Sequence, residues 1–243
     1  MKKYELTAEF IEKWGKKLFR IKALISFGSV EAGELGGYVE KEDNLAQNGN
    51  AWVCDDAEVF GNAEVYGNAR VFGNAEVCGD ARVFGDARVF GNARVCGNAE
   101  VYGNARVCDD AEVYGNARVF GNAEVCGNAR VFGYARVFGN ALVCGNAEVC
   151  GNAEVFDDAD YLLIGRIGSR FSFTTFFKNK DKGITVSCGC FLGTIAEFRA
   201  KVTDTHGNNK HAKMYNLAAD MAELQILGEE HFDKLNTNKS EPF

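Results

Sequence analysis

From Gly49 to Ala159 a six-residue unit recurs 19 times without an insertion, reading Val, aromatic, Gly, Asn, Ala and a charged residue. No helical or heptad pattern has this period. A fixed repeat of six with small residues in every unit specifies a parallel β-helix. In Ala63-Glu64-Val65-Tyr66 successive side chains take opposite faces of a strand, so Ala and Val share one face and Glu and Tyr the other. A charge is excluded from a dry core, which sends Ala and Val inward. Gly67-Asn68 is then expected to turn the corner, through residues that tolerate positive φ. Three corners close a triangular coil of 18 residues, so the repeat gives about six coils and a prism on the order of 30 Å long at strand spacing.

The Val-x-Gly-Asn-Ala-x unit resembles the hexapeptide repeat of the left-handed β-helix, known from bacterial acyltransferases and γ-class carbonic anhydrases. The resemblance implies a mainly β fold, a left-handed parallel β-helix with a cap at its N-terminal end and a small C-terminal α+β domain. It speaks for the fold and only weakly for function, which resides in sites placed on a fold. The expected divisions are an N-terminal β cap over 1–34, the β-helix over 35–160, the α+β domain over 161–235 and a flexible polar tail over 236–243. A cap is needed because the end of a β-helix exposes apolar core and unpaired strand edges.

The charge of −7 argues against nonspecific binding to nucleic acid or membrane. No apolar run reaches membrane length, and Met1-Lys2-Lys3 leads into mixed residues, so a cytoplasmic protein is expected. Seven of the nine cysteines replace Phe or Tyr in the repeat and read as free thiols acting as small hydrophobes. Cys108, Cys126 and Cys144 fall on successive coils, close enough for air oxidation.

Written out in eighteens, the repeat has three unlike faces. One carries Tyr66, Phe84, Tyr102, Phe120, Phe138 and Phe156 in a single outward column beside charges of mostly alternating sign. Six rings, at about 1.5–3 kcal/mol each when buried, can offset an association cost of about 4–15 kcal/mol, so this column is a candidate oligomer interface. Related hexapeptide proteins are typically trimers, and the resemblance favours a trimer over a dimer. A second face alternates Glu76, Arg94, Glu112, Arg130 and Glu148, a ladder with a structural role. The third stacks Arg70, Arg88 and Arg106 with no acid between them, flanked by Phe72, Phe90 and Trp52. Like charges at strand spacing repel, so they either splay into water or meet an anion or acidic partner. These six residues are the partner-binding candidates.

After Ala159 the repeat stops. Tyr161 to Ile164, Phe171 to Lys178 and Gly183 to Cys188 read as three strands, and Thr194-Ile195-Ala196-Glu197 as a capping box opening a helix that ends near His206. A second helix is expected from Lys210 to about Leu227. The three histidines, His206, His211 and His231, all lie here and none in the repeat. The histidine base of the hexapeptide acyltransferases and the zinc histidines of the carbonic anhydrases thus have no counterpart, and no enzyme activity or cofactor is implied. Cys188-Gly189-Cys190 is spaced too tightly for both sulfurs to hold one zinc ion, so no metal is expected. The segment Gly165 to Arg170 reads as a hairpin turn, with a phosphate cradle as the alternative. Arg166, Ser169, Arg170, Cys188, Cys190 and His206 are the ligand candidates if this domain binds a small molecule or nucleotide.

Leu35-Gly36-Gly37-Tyr38-Val39, the Gly-Asn-Ala hexads, Ile167-Gly168-Ser169-Arg170, Thr174-Thr175-Phe176 and Cys188-Gly189-Cys190-Phe191 together are similar to a group of hexapeptide-repeat proteins encoded by bacteriophages and prophages. That likeness implies a setting inside a bacterium and not a mechanism. The expected function is a non-enzymatic, self-associating scaffold that binds a host protein, concretely as an inhibitor of a host defence protein or enzyme. The rivals are a ligand-binding or enzymatic C-terminal domain on an oligomerising stem, and a filament of stacked β-helix ends.

Overall fold

The computed structural model describes residues 1–230; the tail expected over 236–243 and His231 lie outside the described residues. Its body is a parallel β-solenoid. Eighteen two-residue strands, from Trp52–Val53 to Glu154–Val155, form three sheets of stacked coils, and each strand pairs with the one 18 residues away, as Val89 with Val107 and Val101 with Val119. The inward Ala and Val of the repeat from Ala51 to Val155 are buried in one continuous core from the N-terminal cap to Phe177, whereas Ala159, in the last unit, is exposed. Each buried Val side chain contributes about 1.5–3 kcal/mol, and the core lengthens with every coil added.

The corners divide their labour differently from the expectation. The first corner residue takes the left-handed conformation, as at Gly85 (φ 72°) and Gly103 (φ 71°) and at Asp55 (φ 55°) and Asp109 (φ 59°), and the asparagine beside it does not. Along much of the solenoid the Asn side chain instead donates to the residue one coil on, as Asn104 Nδ2 to Asn122 Oδ1 at 3.0 Å and Asn122 to Asn140 at 3.1 Å. Glycine is favoured because corners stack on one another; a Cβ on Gly85 would lie 3.0 Å from the Gly103 nitrogen. Where Asp55 and Asp109 replace it, their carboxylates accept from the Gly73 and Gly127 N–H groups at 3.0 Å.

The N-terminal cap is an antiparallel hairpin, β1 (Tyr4–Lys13) and β2 (Lys16–Ala23), joined through β3 (Leu35–Val39) to the edge of the Glu76 face. It closes over Trp52, which is fully buried with its ring 6.2 Å from Tyr4 and 5.4 Å from Phe27. Trp52 is therefore a core residue and not part of a binding surface: it occupies an outward position of the first coil, but the cap covers that position. Lys3 is buried here as well, its Nζ donating to the Ala51 carbonyl at 2.9 Å.

At the other end four antiparallel strands form the C-terminal sheet, Tyr161–Ile167, Ser172–Lys178, Ile184–Cys188 and Phe191–Thr194. The fourth was not foreseen, because Phe191-Leu192-Gly193-Thr194 is short and runs straight into the capping box. Phe177 plugs the solenoid core, and Thr175 Oγ1 accepts from the Glu148 N–H at 3.1 Å. Helices α1 (Ile195–His206) and α2 (Lys210–Leu227) cover the outer side of this sheet, with Phe176, Phe198, Tyr215 and Ala219 in a second core. The expected capping box is present: Thr194 Oγ1 accepts from the Glu197 N–H at 3.3 Å, and Glu197 accepts from the Thr194 N–H at 2.8 Å. Among the described residues no helix is long and apolar enough to cross a membrane.

Candidate functional site

Strand pairing sets the three outward faces. On the first, Arg88 pairs in register with Arg70 on one side and Arg106 on the other. The three do not all splay into water. Arg70 is tied to Ser29 of the cap and reaches Cys54 Sγ at 3.6 Å, while Arg106 pairs with Glu124 at 3.2 Å and sits over the Phe90 ring, 5.4 Å from its centroid. Arg88 is exposed and, among the described residues, has no carboxylate partner. Phe72 and Phe90 stack beside it with ring centroids 4.9 Å apart and planes 1° from parallel. Arg70, Arg88 and Phe72 line a depression with Glu34, Cys54 and Asp55, and Glu124 closes the other end of the stripe, so Arg88 lies between two acidic margins without a carboxylate partner of its own among the described residues.

The aromatic face is a ladder of rings. Tyr66, Phe84, Tyr102, Phe120 and Phe138 stack at 4.8–5.0 Å within 9° of parallel, and Phe156 turns to an edge contact at 65°. Stacking and the Arg136 guanidinium, which lies over Phe120 and Phe138, leave the rings half-buried; Phe156 is exposed. The elements against which α2 packs are α1, the C-terminal sheet and Asp158–Asp160, so the C-terminal helices do not supply a cover for the column. Beside it Arg82 and Arg118 (3.1 Å) both reach Glu100, and Arg136 reaches Glu154 at 2.9 Å. The second face carries the expected ladder, Arg94 bridging Glu76 and Glu112 and Arg130 bridging Glu112 and Glu148.

In the C-terminal domain the structure gathers most of the ligand candidates. Ser169, Arg170, Cys188, Cys190 and His206 line one cavity of about 250 Å³ together with Phe191, Phe198, Lys201, Val202, Thr205 and Tyr215. Arg166 is exposed, on the bulge between Ile164 and Ile167, and is outside this lining. The turn between the first two strands is confined to 168–171; Gly165, Arg166 and Ile167, which the turn reading included, belong to the first strand. Sequence reasoning missed Lys201, Thr205 and Tyr215. The signal for the first two was present, since they sit four apart on α1 and so share a side of it. Burial, with the Cys188 thiol beside it, pushes the Tyr215 phenol above its ordinary range, against the pull of Arg170. Cys188 Sγ accepts from Thr174 Oγ1 at 3.2 Å.

Cys188 and Cys190 flank Gly189 in a tight hairpin turn and do not form a cation-binding cluster with His206 and His211. Among the described residues the groups whose donor atoms converge within 4.8 Å are Glu76, Cys78 and Cys96, and Cys108, Glu124 and Cys126. Each carboxylate is already ion-paired, Glu76 with Lys13 at 3.0 Å and Glu124 with Arg106. All nine cysteines are free thiols. Burial, then Asp109 and Glu124, push the Cys108 thiol up to about 12, which disfavours the thiolate that oxidation requires.

One further surface escaped the sequence reading. Met214, Leu217, Met221 and Leu224 form an exposed apolar stripe on α2, while Tyr215, Ala219 and Ala222 face the core. Helical spacing alone did not say which apolar residues of α2 would be covered.

The repeat, the stacked glycine corners and the closed ends define a β-solenoid repeat protein. A family model described as the YdcK beta solenoid repeat matches residues 57–79, 81–97 and 93–109, all within the solenoid. No curated protein matches the chain.

Proposed function

We propose that the chain is a non-enzymatic binding scaffold whose arginine face engages an acidic segment of a partner protein. The observation that carries this reading is Arg88, held between two tethered arginines and beside a stacked Phe72–Phe90 pair, with no carboxylate partner among the described residues. On a chain of net charge −7 such a stripe is a local exception, suited to an acidic surface with apolar neighbours. The solenoid holds these groups on stacked strands, so little ordering entropy is lost on binding. The likeness to phage-encoded hexapeptide proteins makes the partner a protein of a bacterial host, and the action the inhibition of a host defence protein or enzyme. The aromatic column, flanked by charges of both signs, suits burial against further copies of the chain, and a trimer is the assembly proposed.

The test is a pull-down with the tagged full chain from bacterial lysate, with the wild type and Arg88→Glu run side by side. The expected result is a stoichiometric acidic protein that elutes with rising salt and is lost from the variant. A partner retained equally by Arg88→Glu removes the stripe from the interface. Absence of any stoichiometric protein overturns the scaffold reading.

A further inference from the structure

The cavity of the C-terminal domain is made by three segments distant in the chain: the Gly168–Arg170 turn, the Cys188–Phe191 hairpin and the facing sides of α1 and α2. Its wall is a rigid aromatic cluster. Tyr215 packs edge-on against Phe198, with centroids 5.6 Å apart at 88°, and lies against the His206 ring at 5.8 Å and 28°. Tyr215 can occupy this place only because residue 168 is glycine: a Cβ there would lie 1.9 Å from the tyrosine hydroxyl oxygen. The left-handed φ of Gly168, 74°, also turns the chain so that Ser169 and Arg170 reach the rim.

Beside the Cys188 and Cys190 thiols, the polar lining suits an anion. Arg170, Lys201 and His206 bring positive or protonatable groups, Ser169, Thr205 and Tyr215 bring hydroxyls, and no carboxylate lines the cavity. Among the described residues Arg170 has no carboxylate partner. Lys201 pairs with Asp204 at 3.2 Å, but both side chains are largely in water and such a contact is easily exchanged. Phe191, Phe198 and Val202 add apolar lining beside these polar groups.

We infer that this cavity binds the phosphate of a small phosphomonoester whose other part is a single apolar or aromatic group. Guanidinium, ammonium and three hydroxyls outnumber what the two oxygens of a carboxylate can accept, and match a phosphate with three terminal oxygens. The volume, about 250 Å³, is below the range of pockets that enclose drug-sized ligands, so one ring beside the phosphate fills it and a dinucleotide does not fit. The inference is independent of the arginine face: either reading can fail without the other.

Calorimetric titration of the full chain with phenyl phosphate, inorganic phosphate and benzoate tests it. Phenyl phosphate is expected to bind saturably at one site per chain and more tightly than either of the other probes. Arg170→Gln, at an exposed position that leaves both cores intact, is expected to weaken it by about tenfold or more, the loss of a charge-assisted contact. Lys201→Gln should act in the same direction, and Arg88→Gln should leave the affinity unchanged. Absence of saturable binding overturns the inference, as does an affinity lost on Arg88→Gln and retained in Arg170→Gln. Benzoate binding more tightly than phenyl phosphate overturns the assignment to a phosphate.

Discussion

The ring of Phe84 lies 4.9 Å from that of Tyr102 one coil on, with the two planes 5° apart, and the same relation runs along five residues of the aromatic face. The stack is set by the strand spacing beneath it. Removing one ring from the middle, by Tyr102→Ala, breaks two contacts and is expected to lower stability by about 1–3 kcal/mol, readable in urea melts. If the column joins copies, Tyr102→Glu places an acid inside the interface and should reduce the mass measured by light scattering to that of the monomer. Paired substitution of Leu217 and Met221 by Asp, on the exposed stripe of α2, is the control and should leave that mass unchanged.

Glycine corners carry two separable costs. Gly15, in the cap hairpin, has φ 74° and open space where a Cβ would go; Gly85 has φ 72° and the Gly103 backbone at 3.0 Å. Gly15→Ala should therefore cost about 1–2 kcal/mol, the left-handed penalty alone. Gly85→Ala should cost more, because the two coils must also part, and the difference between the two unfolding free energies measures coil-to-coil contact. Equal costs would mean that the corners are not close-packed.

Trp52 fills the first coil beneath the cap, and its indole Nε1 is buried with no hydrogen-bond partner. Trp52→Phe keeps most of the volume and removes that orphaned donor, so a change within about 1.5 kcal/mol is expected. Trp52→Ala leaves a void under Tyr4 and Phe27 and should cost about 3–5 kcal/mol in the same chemical denaturation series.

Lys3 links the cap to pH. Its burial lowers the ammonium pKa from the ordinary 10.5 to about 8. Between those values the unfolded chain holds a proton that the folded chain has released, so stability rises with pH through this window. From pH 7 to pH 9 the gain attributable to Lys3 is about 1 kcal/mol. Lys3→Met has no such group, and the increment should vanish from its urea midpoints; an equal rise in wild type and variant would assign it to other residues.

Thiol reactivity should follow exposure. Cys190 is exposed at the tip of its hairpin, whereas Cys108 and Cys150 are buried and burial pushes their thiols up to about 12 and about 11. Under native conditions a chromogenic disulfide reagent is expected to label Cys190 first and Cys108 and Cys150 only on unfolding, which mass mapping of the labelled peptides would read.

The solenoid was legible in the sequence because every decision in it is local. Alternation along Ala-x-Val-x and exclusion of charge from the core settle which side chain points inward, and the six-residue period settles which strands pair. The cap box at Thr194 and both helices follow from equally short-range rules. What lay beyond such rules is whatever depends on a neighbour distant in the chain. Trp52 has the position of an outward residue, and only the cap packed over it makes it core. Arg70, Arg88 and Arg106 are equivalent within a coil; the period already sets Glu124 beside Arg106, and only Ser29, brought by the cap, tethers Arg70 and leaves Arg88 the free member. Asparagine and glycine look interchangeable as corner residues until stacking shows one supplying the left-handed turn and the other the ladder. The cavity lined by Arg170, Cys188, His206 and Tyr215 exists because packing brings together segments that the chain keeps apart; period and propensity describe each segment by itself, and tertiary contact decides what the segments form together.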